Sequence, residues 1–155
     1  MKLNDCRRLA KFKMQEHGLT DWKFKFNNAK TFFGLCSERE HTIWLSRHLT
    51  RLNTESVMLD TILHEIAHAL AGCRHKHNRI WVSQARIIGC NGERCSSYNE
   101  VVHVPGKYKL VCGKCGSVRQ IHRKTRVRKA CRFCCDKYNG GMFSEEYILK
   151  VEEVI

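Results

Sequence analysis

Leu63-His64-Glu65-Ile66-Ala67-His68-Ala69-Leu70 closes a run, begun at Asn53, that reads as one α-helix. Two histidines four residues apart project from the same helical face, one turn above the other. That spacing lets both imidazoles reach one Zn²⁺, with Glu65 beside them to handle a proton. The chemistry implied is that of a zinc hydrolase, with a peptidase as the leading version. Val57, Leu59, Ile62, Leu63, Ile66 and Leu70 make the rest of the helix apolar. A burial-prone helix does not keep imidazoles and a carboxylate without a partner for them. Asn53 is the expected N-cap, Glu55 sits favourably in the first turn, and Gly72 ends the helix.

Catalytic zinc takes three protein ligands and leaves a fourth position for water. The metzincin pattern would place glycine at position 71 and histidine at position 74, but the chain has Ala71 and Arg74. His75 and His77 remain as nearby candidates. His77 is favoured because it precedes Asn78-Arg79-Ile80-Trp81, where a helix starts and the chain direction can reverse. Glu93 and Glu100 are further candidates, both in loop-like sequence.

Working outward, Asn4 to His17 reads as a helix capped by Asn4 or Asp5 and ended by Gly18. Trp22, Phe24 and Phe26 alternate with Lys23 and Lys25, the pattern of a strand with one apolar face. Thr31 to Cys36 and His41 to Leu45 are two more strands around a polar turn, Ser37-Glu38-Arg39-Glu40. Together they predict a small antiparallel sheet. Asn78 to Gly89 is a further helix, with Ile80, Trp81, Ala85 and Ile88 on its buried side. Gly, Asn and Ser cluster between Cys90 and Pro105, which marks a domain boundary.

The chain of 155 residues carries 28 Lys and Arg against 15 Asp and Glu, a net charge of +13. Such a balance favours a polyanionic partner, most often nucleic acid. Position sharpens this: Val101 to Cys135 holds ten Lys or Arg and no Asp or Glu. No apolar run is long enough to span a bilayer, and Met1 to Met14 lacks the apolar core of a signal peptide. An intracellular protein is expected, in the cytoplasm or nucleoid, or in the nucleus of a eukaryote, and no membrane partner.

Four of the ten cysteines form two Cys-x-x-Cys pairs, Cys112/Cys115 and Cys131/Cys134, fifteen residues apart. This is the spacing of a four-cysteine zinc ribbon. Cys135 competes with Cys134, and the spacing favours Cys134. Such an ion is structural because its ligand shell is closed. Val118 to Lys129 would form a β-hairpin between the knuckles. Lys107, Lys109, Arg119, Arg123, Lys124, Arg126, Arg128 and Lys129 would meet phosphates, largely without regard to sequence. A last strand-like run covers Tyr147 to Val151. Cys6, Cys36, Cys73, Cys90, Cys95 and Cys135 are expected mostly as free thiols or core fillers, with Cys90 and Cys95 unassigned.

The order of these motifs resembles the SprT-like family, which includes the Spartan proteases. The resemblance runs through Trp22 to Asn27 with Ala29-Lys30, Gly34 to Cys36, Ile43 to Ser46, Leu59 to Leu70, His77, Trp81 and the four ribbon cysteines. It implies a zincin-like metallopeptidase core followed by a zinc ribbon, with His64, His68 and His77 on zinc and Glu65 as general base. Spartan-type members digest proteins trapped on DNA, with DNA as activator. Asn78-Arg79 stands where such relatives tend to carry Gly-Pro. No tail for ubiquitin or clamp binding follows the ribbon, so recruitment by those partners is not expected.

The expected protein is therefore α+β, with a zincin-like core at 1–104 and a basic four-cysteine ribbon at 105–155. It carries one catalytic and one structural Zn²⁺, and acts as a monomer on proteins bound to DNA. The rival reading is a nucleic-acid-binding adaptor with an inactive or structural core.

Overall fold

A computed structural model describes residues 1–93 and 101–154. Cys95 and Glu100 lie outside the described residues. The chain divides into two units, Met1–Val104 and Pro105–Ile155.

The first unit begins with α1, Leu3–Glu16, two or three residues earlier than an Asn4 or Asp5 cap would have it. Lys2 occupies the N-cap position without a side-chain bond. The helix start is anchored instead by the Met1 amino group, which donates to the carbonyls of Thr50 (3.1 Å) and Asn53 (2.6 Å). Cys6, Ala10 and Met14 are its buried stripe.

Strand β1, Lys23–Asn27, keeps the predicted period of two: Phe24 is buried while Lys23 and Lys25 are exposed. Strands β2, Gly34–Ser37, and β3, Thr42–Ser46, follow. The sheet order is β1-β3-β2. β2 pairs antiparallel with β3, but β1 pairs parallel with it, so the expected antiparallel sheet is in fact mixed. A parallel neighbour needs a long return connection. Here the connection is residues 28–41, which include β2 itself on the far edge. The β2–β3 hairpin then inserts its second strand against β1.

A short helix that the sequence reading did not anticipate, α2 (Arg47–Leu52), comes next, capped by the Ser46 hydroxyl. Helix α3 is Glu55–Ala71, and its N-cap is Thr54 rather than Asn53. Asn53 is committed elsewhere. Its carboxamide donates to the carbonyls of Leu49 and Val102 and accepts from the Val102 amide, each at 2.8 Å. That carboxamide thus ties the end of α2 to a segment 49 residues further along the chain.

Helix α4, Arg79–Ile87, is capped by the Asn78 side chain, which accepts from the amides of Ile80 and Trp81. Trp81 and Ala85 are fully buried, but Ile80 is 53% exposed, against expectation. The cap fixes the helix register so that Trp81 takes the inward position and Ile80 the neighbouring outward one. α3 is buried on most of its circumference. One side packs with α1, Phe24, Ile43 and Leu45, and the other with Trp81, Ala85 and Cys90.

In the second unit β4, Tyr108–Cys112, lies between β5, Val118–Ile121, and β6, Leu149–Glu153, all antiparallel. The hairpin therefore spans 108–121, with the first cysteine knuckle as its turn, not Val118 to Lys129. Residues 122–129 form no strand. A helix absent from the sequence reading, α5 (Arg132–Tyr138), starts directly after Cys131. The core of this unit is sulfur-rich: Cys112, Cys131, Cys134, Cys135 and Tyr147. Cys135 packs there behind the cluster. No helix among the described residues is long and apolar enough to cross a membrane.

Candidate metal centres

His64 and His68 leave α3 one turn apart. After Gly72, whose φ of +87° breaks the helix, a 3₁₀ turn at Cys73–His75 folds the chain back. His77 thereby returns to the same face. The Nε2 of His77 lies 3.1 Å from that of His64 and 3.2 Å from that of His68. The three ligand atoms form one of the two groups suited to a metal ion among the described residues. An ion with ligand bonds of about 2.0–2.1 Å in tetrahedral geometry sets its nitrogens roughly 3.3–3.4 Å apart. The observed spacing is close to that.

The donor set fits in its chemistry as well. His64 also makes a hydrogen bond with the Glu93 backbone. Glu93 thus contributes backbone, and its exposed side chain is not part of the triad. Burial first, then the neighbouring rings, lower the pKa of His64 to about 3 and that of His68 to about 4. Both rings are therefore neutral, as ligands must be. His75 turns away: its Nδ1 lies 3.2 Å from the Asn78 carboxamide nitrogen and its Nε2 accepts from Arg74 at 3.3 Å.

Trp81 forms a floor under the triad. Its ring centroid lies 4.6 Å from His64, 5.2 Å from His68 and 4.6 Å from His77. Sequence reading placed Trp81 in the core without connecting it to the histidines. The signal was present: the residue follows His77 by four positions, one turn into a capped helix.

Glu65 points onto β2. It is 6% exposed, and burial alone raises its pKa to about 8. Its side chain rests on Gly34 of β2: a Cβ there would stand 2.5 Å from Glu65 Oε1 and 2.6 Å from Cγ. Gly34 is thus the seat of the carboxylate, a contact with no local sequence signal. Glu65 and the triad line a cavity of about 640 Å³, bounded by Phe33, Gly34, Leu35 and His103 among others. That volume lies within the ordinary range of about 300–1,000 Å³ for ligand sites.

The second group is Cys112, Cys115, Cys131 and Cys134. Cys112 and Cys134 sulfurs are 3.8 Å apart, and those of Cys115 and Cys131 are 3.6 Å apart. Four thiolates at about 2.3 Å from one ion sit at nearly these separations. Hydrogen bonds from the Ser117 side chain and backbone lower the Cys115 thiol to about 6. Burial raises that of Cys134.

Of the eight basic residues expected to meet phosphate, Lys109 is ion-paired with Glu152 (3.1 Å) and Arg128 with Glu145 (3.0 Å). Lys124 lies over the Tyr108 ring at 5.2 Å. Lys107, Arg119, Arg123, Arg126 and Lys129 are exposed and make no ion pair among the described residues.

No curated protein matches the chain. A family model does: that of the SprT-like family, over residues 4–103.

Proposed function

The chain belongs to the SprT-like family, and from that premise we propose that it is a zinc-dependent metalloendopeptidase cleaving proteins bound or crosslinked to DNA. The observation that carries this reading is a buried carboxylate, Glu65, beside three converging imidazoles in the wall of one open cavity. His64, His68 and His77 would hold the ion. Zinc there would polarise a peptide carbonyl and bring the pKa of water to about 7.

The chain's own groups do the rest. Glu65 takes a proton from the attacking water on a carboxylate oxygen and passes it to the departing amine. Without a cation its raised pKa keeps the carboxyl protonated at neutral pH. A divalent charge nearby favours the ionised form, so the base is armed only when the ligands are loaded. Gly34 fixes where the carboxylate sits, and Trp81 holds the three rings in place from the apolar side.

The four thiolates would hold a second, structural zinc, with no open position for chemistry. Lys107, Lys109, Arg119, Arg123, Lys124, Arg126, Arg128 and Lys129 would carry DNA by its phosphates, with little sequence preference. The protein would act as a monomer inside the cell.

The test uses zinc-loaded wild type and Glu65→Gln on a protein crosslinked to DNA. Wild type should cleave, and Glu65→Gln should lose at least a hundredfold in rate while retaining both zinc ions and DNA affinity. Intact substrate with fully loaded wild type, alongside undiminished DNA binding, would instead establish the adaptor.

A further inference from the structure

We propose that Cys36 and Cys73 form a redox modification site, a thiol pair that peroxide converts into a disulfide across the rim of the cavity. The inference stands apart from the peptidase reading and needs no catalysis.

The other described cysteines are accounted for by burial or by the four-sulfur cluster. Cys6 and Cys90 fill the cores of the first unit, and Cys135 packs behind the cluster. Cys36 and Cys73 do neither. They are half-buried, line the same cavity as Glu65, and sit with their sulfurs 3.5 Å apart. The Cys73 sulfur also lies 3.7 Å from the Cys36 carbonyl oxygen. Among the described residues the pair belongs to no group of three potential ligands, which separates it from the metal centres.

Its placement follows from the fold. Cys36 is on the edge strand β2, in register with Ile43 of β3. Cys73 is the first residue of the turn that leaves α3, where the positive φ of Gly72 swings the chain back over β2. The Cys73 amide donates to the Glu38 carboxylate at 3.2 Å, holding the turn against the loop beyond β2. A disulfide needs its sulfurs at about 2.05 Å, so closure asks for an approach of roughly 1.5 Å, within reach of side-chain rotation.

The chemistry balances with hydrogen peroxide as oxidant. One thiolate attacks an oxygen of peroxide, the O–O bond breaks, and a sulfenic acid and water result. The second thiol attacks that sulfur, the S–O bond breaks, and a second water leaves. In sum, two thiols and one peroxide give one disulfide and two waters, the sulfurs losing two electrons. Burial, the Cys73 sulfur and the Glu65 and Glu38 carboxylates all push the Cys36 thiol up. Whichever sulfur meets the oxidant becomes the sulfenic acid and the other resolves it, and the disulfide is the same either way. The bond joins the strand that seats Glu65 to the segment between His68 and His77.

The experiment treats zinc-loaded full-length protein with equimolar hydrogen peroxide, blocks remaining thiols with N-ethylmaleimide, and maps non-reduced tryptic peptides by mass spectrometry. The expected product links peptide 31–39 to peptide 52–74, lighter by two hydrogens than their sum, and reverts with dithiothreitol. Cys36→Ser and Cys73→Ser should each abolish it. Oxidised wild type should unfold several degrees higher than its reduced form. Glu65→Gln should give the same link, so loss of peptidase activity leaves this result untouched. The proposal is overturned if both thiols stay alkylatable while other cysteines oxidise, if either pairs with a different cysteine, or if Cys73 passes to the sulfinic acid without the link.

Discussion

Gly34 shows how much can depend on an absent side chain. A methyl group at that position meets the Glu65 carboxylate at 2.5 Å, and β2 is held by its ladder to β3, so the carboxylate must give way. Gly34→Ala should lower stability by roughly 1–3 kcal/mol and cut peptidase rate at least tenfold, with zinc retained. Urea titration and a turnover assay check the two effects separately. Protonation offers a second residue-scale prediction, for protein stripped of metal. His64 and His68 bind protons below pH 6.5 when unfolded but only near pH 3 and 4 when folded, so their stability contribution is lost as pH falls below 6.5. Glu65 does the opposite: its folded pKa of about 8 lies above the unfolded 4.5, so its contribution fades as pH rises from 4.5 through 8. These three groups together put the maximum near pH 6.5. In denaturant titrations across pH, Glu65→Gln should flatten the decline above that point, and an unchanged profile would contradict the burial of this carboxyl.

At the scale of elements, two adjacent residues divide the work of ending one helix and starting the next. Thr54 caps α3 through a long bond of 3.5 Å to the Val57 amide. Thr54→Ala should cost about 0.5–1 kcal/mol, the lower part of the range for such caps. Asn53→Ala should cost more, roughly 1–3 kcal/mol, because it strips the Val102 amide and carbonyl of their side-chain partner and leaves the Leu49 carbonyl with the Asn53 amide alone. Equilibrium unfolding of the two variants gives the order directly, and equal costs would show that the Val102 tie contributes nothing. Asn and Thr are both good caps, and nothing within a few residues distinguishes them. Asn53 is taken by a backbone 49 residues away, a competition that local sequence cannot display. The direction of β1 escapes local sequence for a related reason. Alternation in Trp22, Phe24 and Phe26 establishes a strand and its buried face, but strand direction depends on where the chain returns. Helix α5 carries no such signal, because its seven residues are mostly cysteine, lysine and aromatic, with no apolar period.

For the whole molecule, the two units should respond differently to loss of metal. The core of Met1–Val104 is built from aliphatic and aromatic side chains of three helices and a sheet. That of Pro105–Ile155 is chiefly Cys112, Cys131, Cys134, Cys135 and Tyr147, too small to stand alone. Chelation should therefore abolish amide protection across β4, β5 and β6 while α1 and α3 stay protected in hydrogen exchange. Persistent protection in β4 would mean that the sulfur cluster is not a metal site. If five unpaired cations meet phosphate, log affinity for duplex DNA should fall with log salt at a slope of about −4 to −5. Replacing Arg123 and Arg126 by alanine should reduce that slope by about two.

Short-range geometry was enough to put His64 and His68 on one helical face with Glu65 beside them, and to single out Cys112, Cys115, Cys131 and Cys134, because spacings of three and four are read within one turn or one knuckle. Tertiary structure alone decided the rest. It carried His77, which helix-start geometry favours but does not place, to the triad through the break at Gly72, set Gly34 behind Glu65, and laid Cys73 on Cys36. Each of these is a contact between segments whose separation along the chain says nothing about their meeting, and only packing of α3 against β2 and α4 creates them.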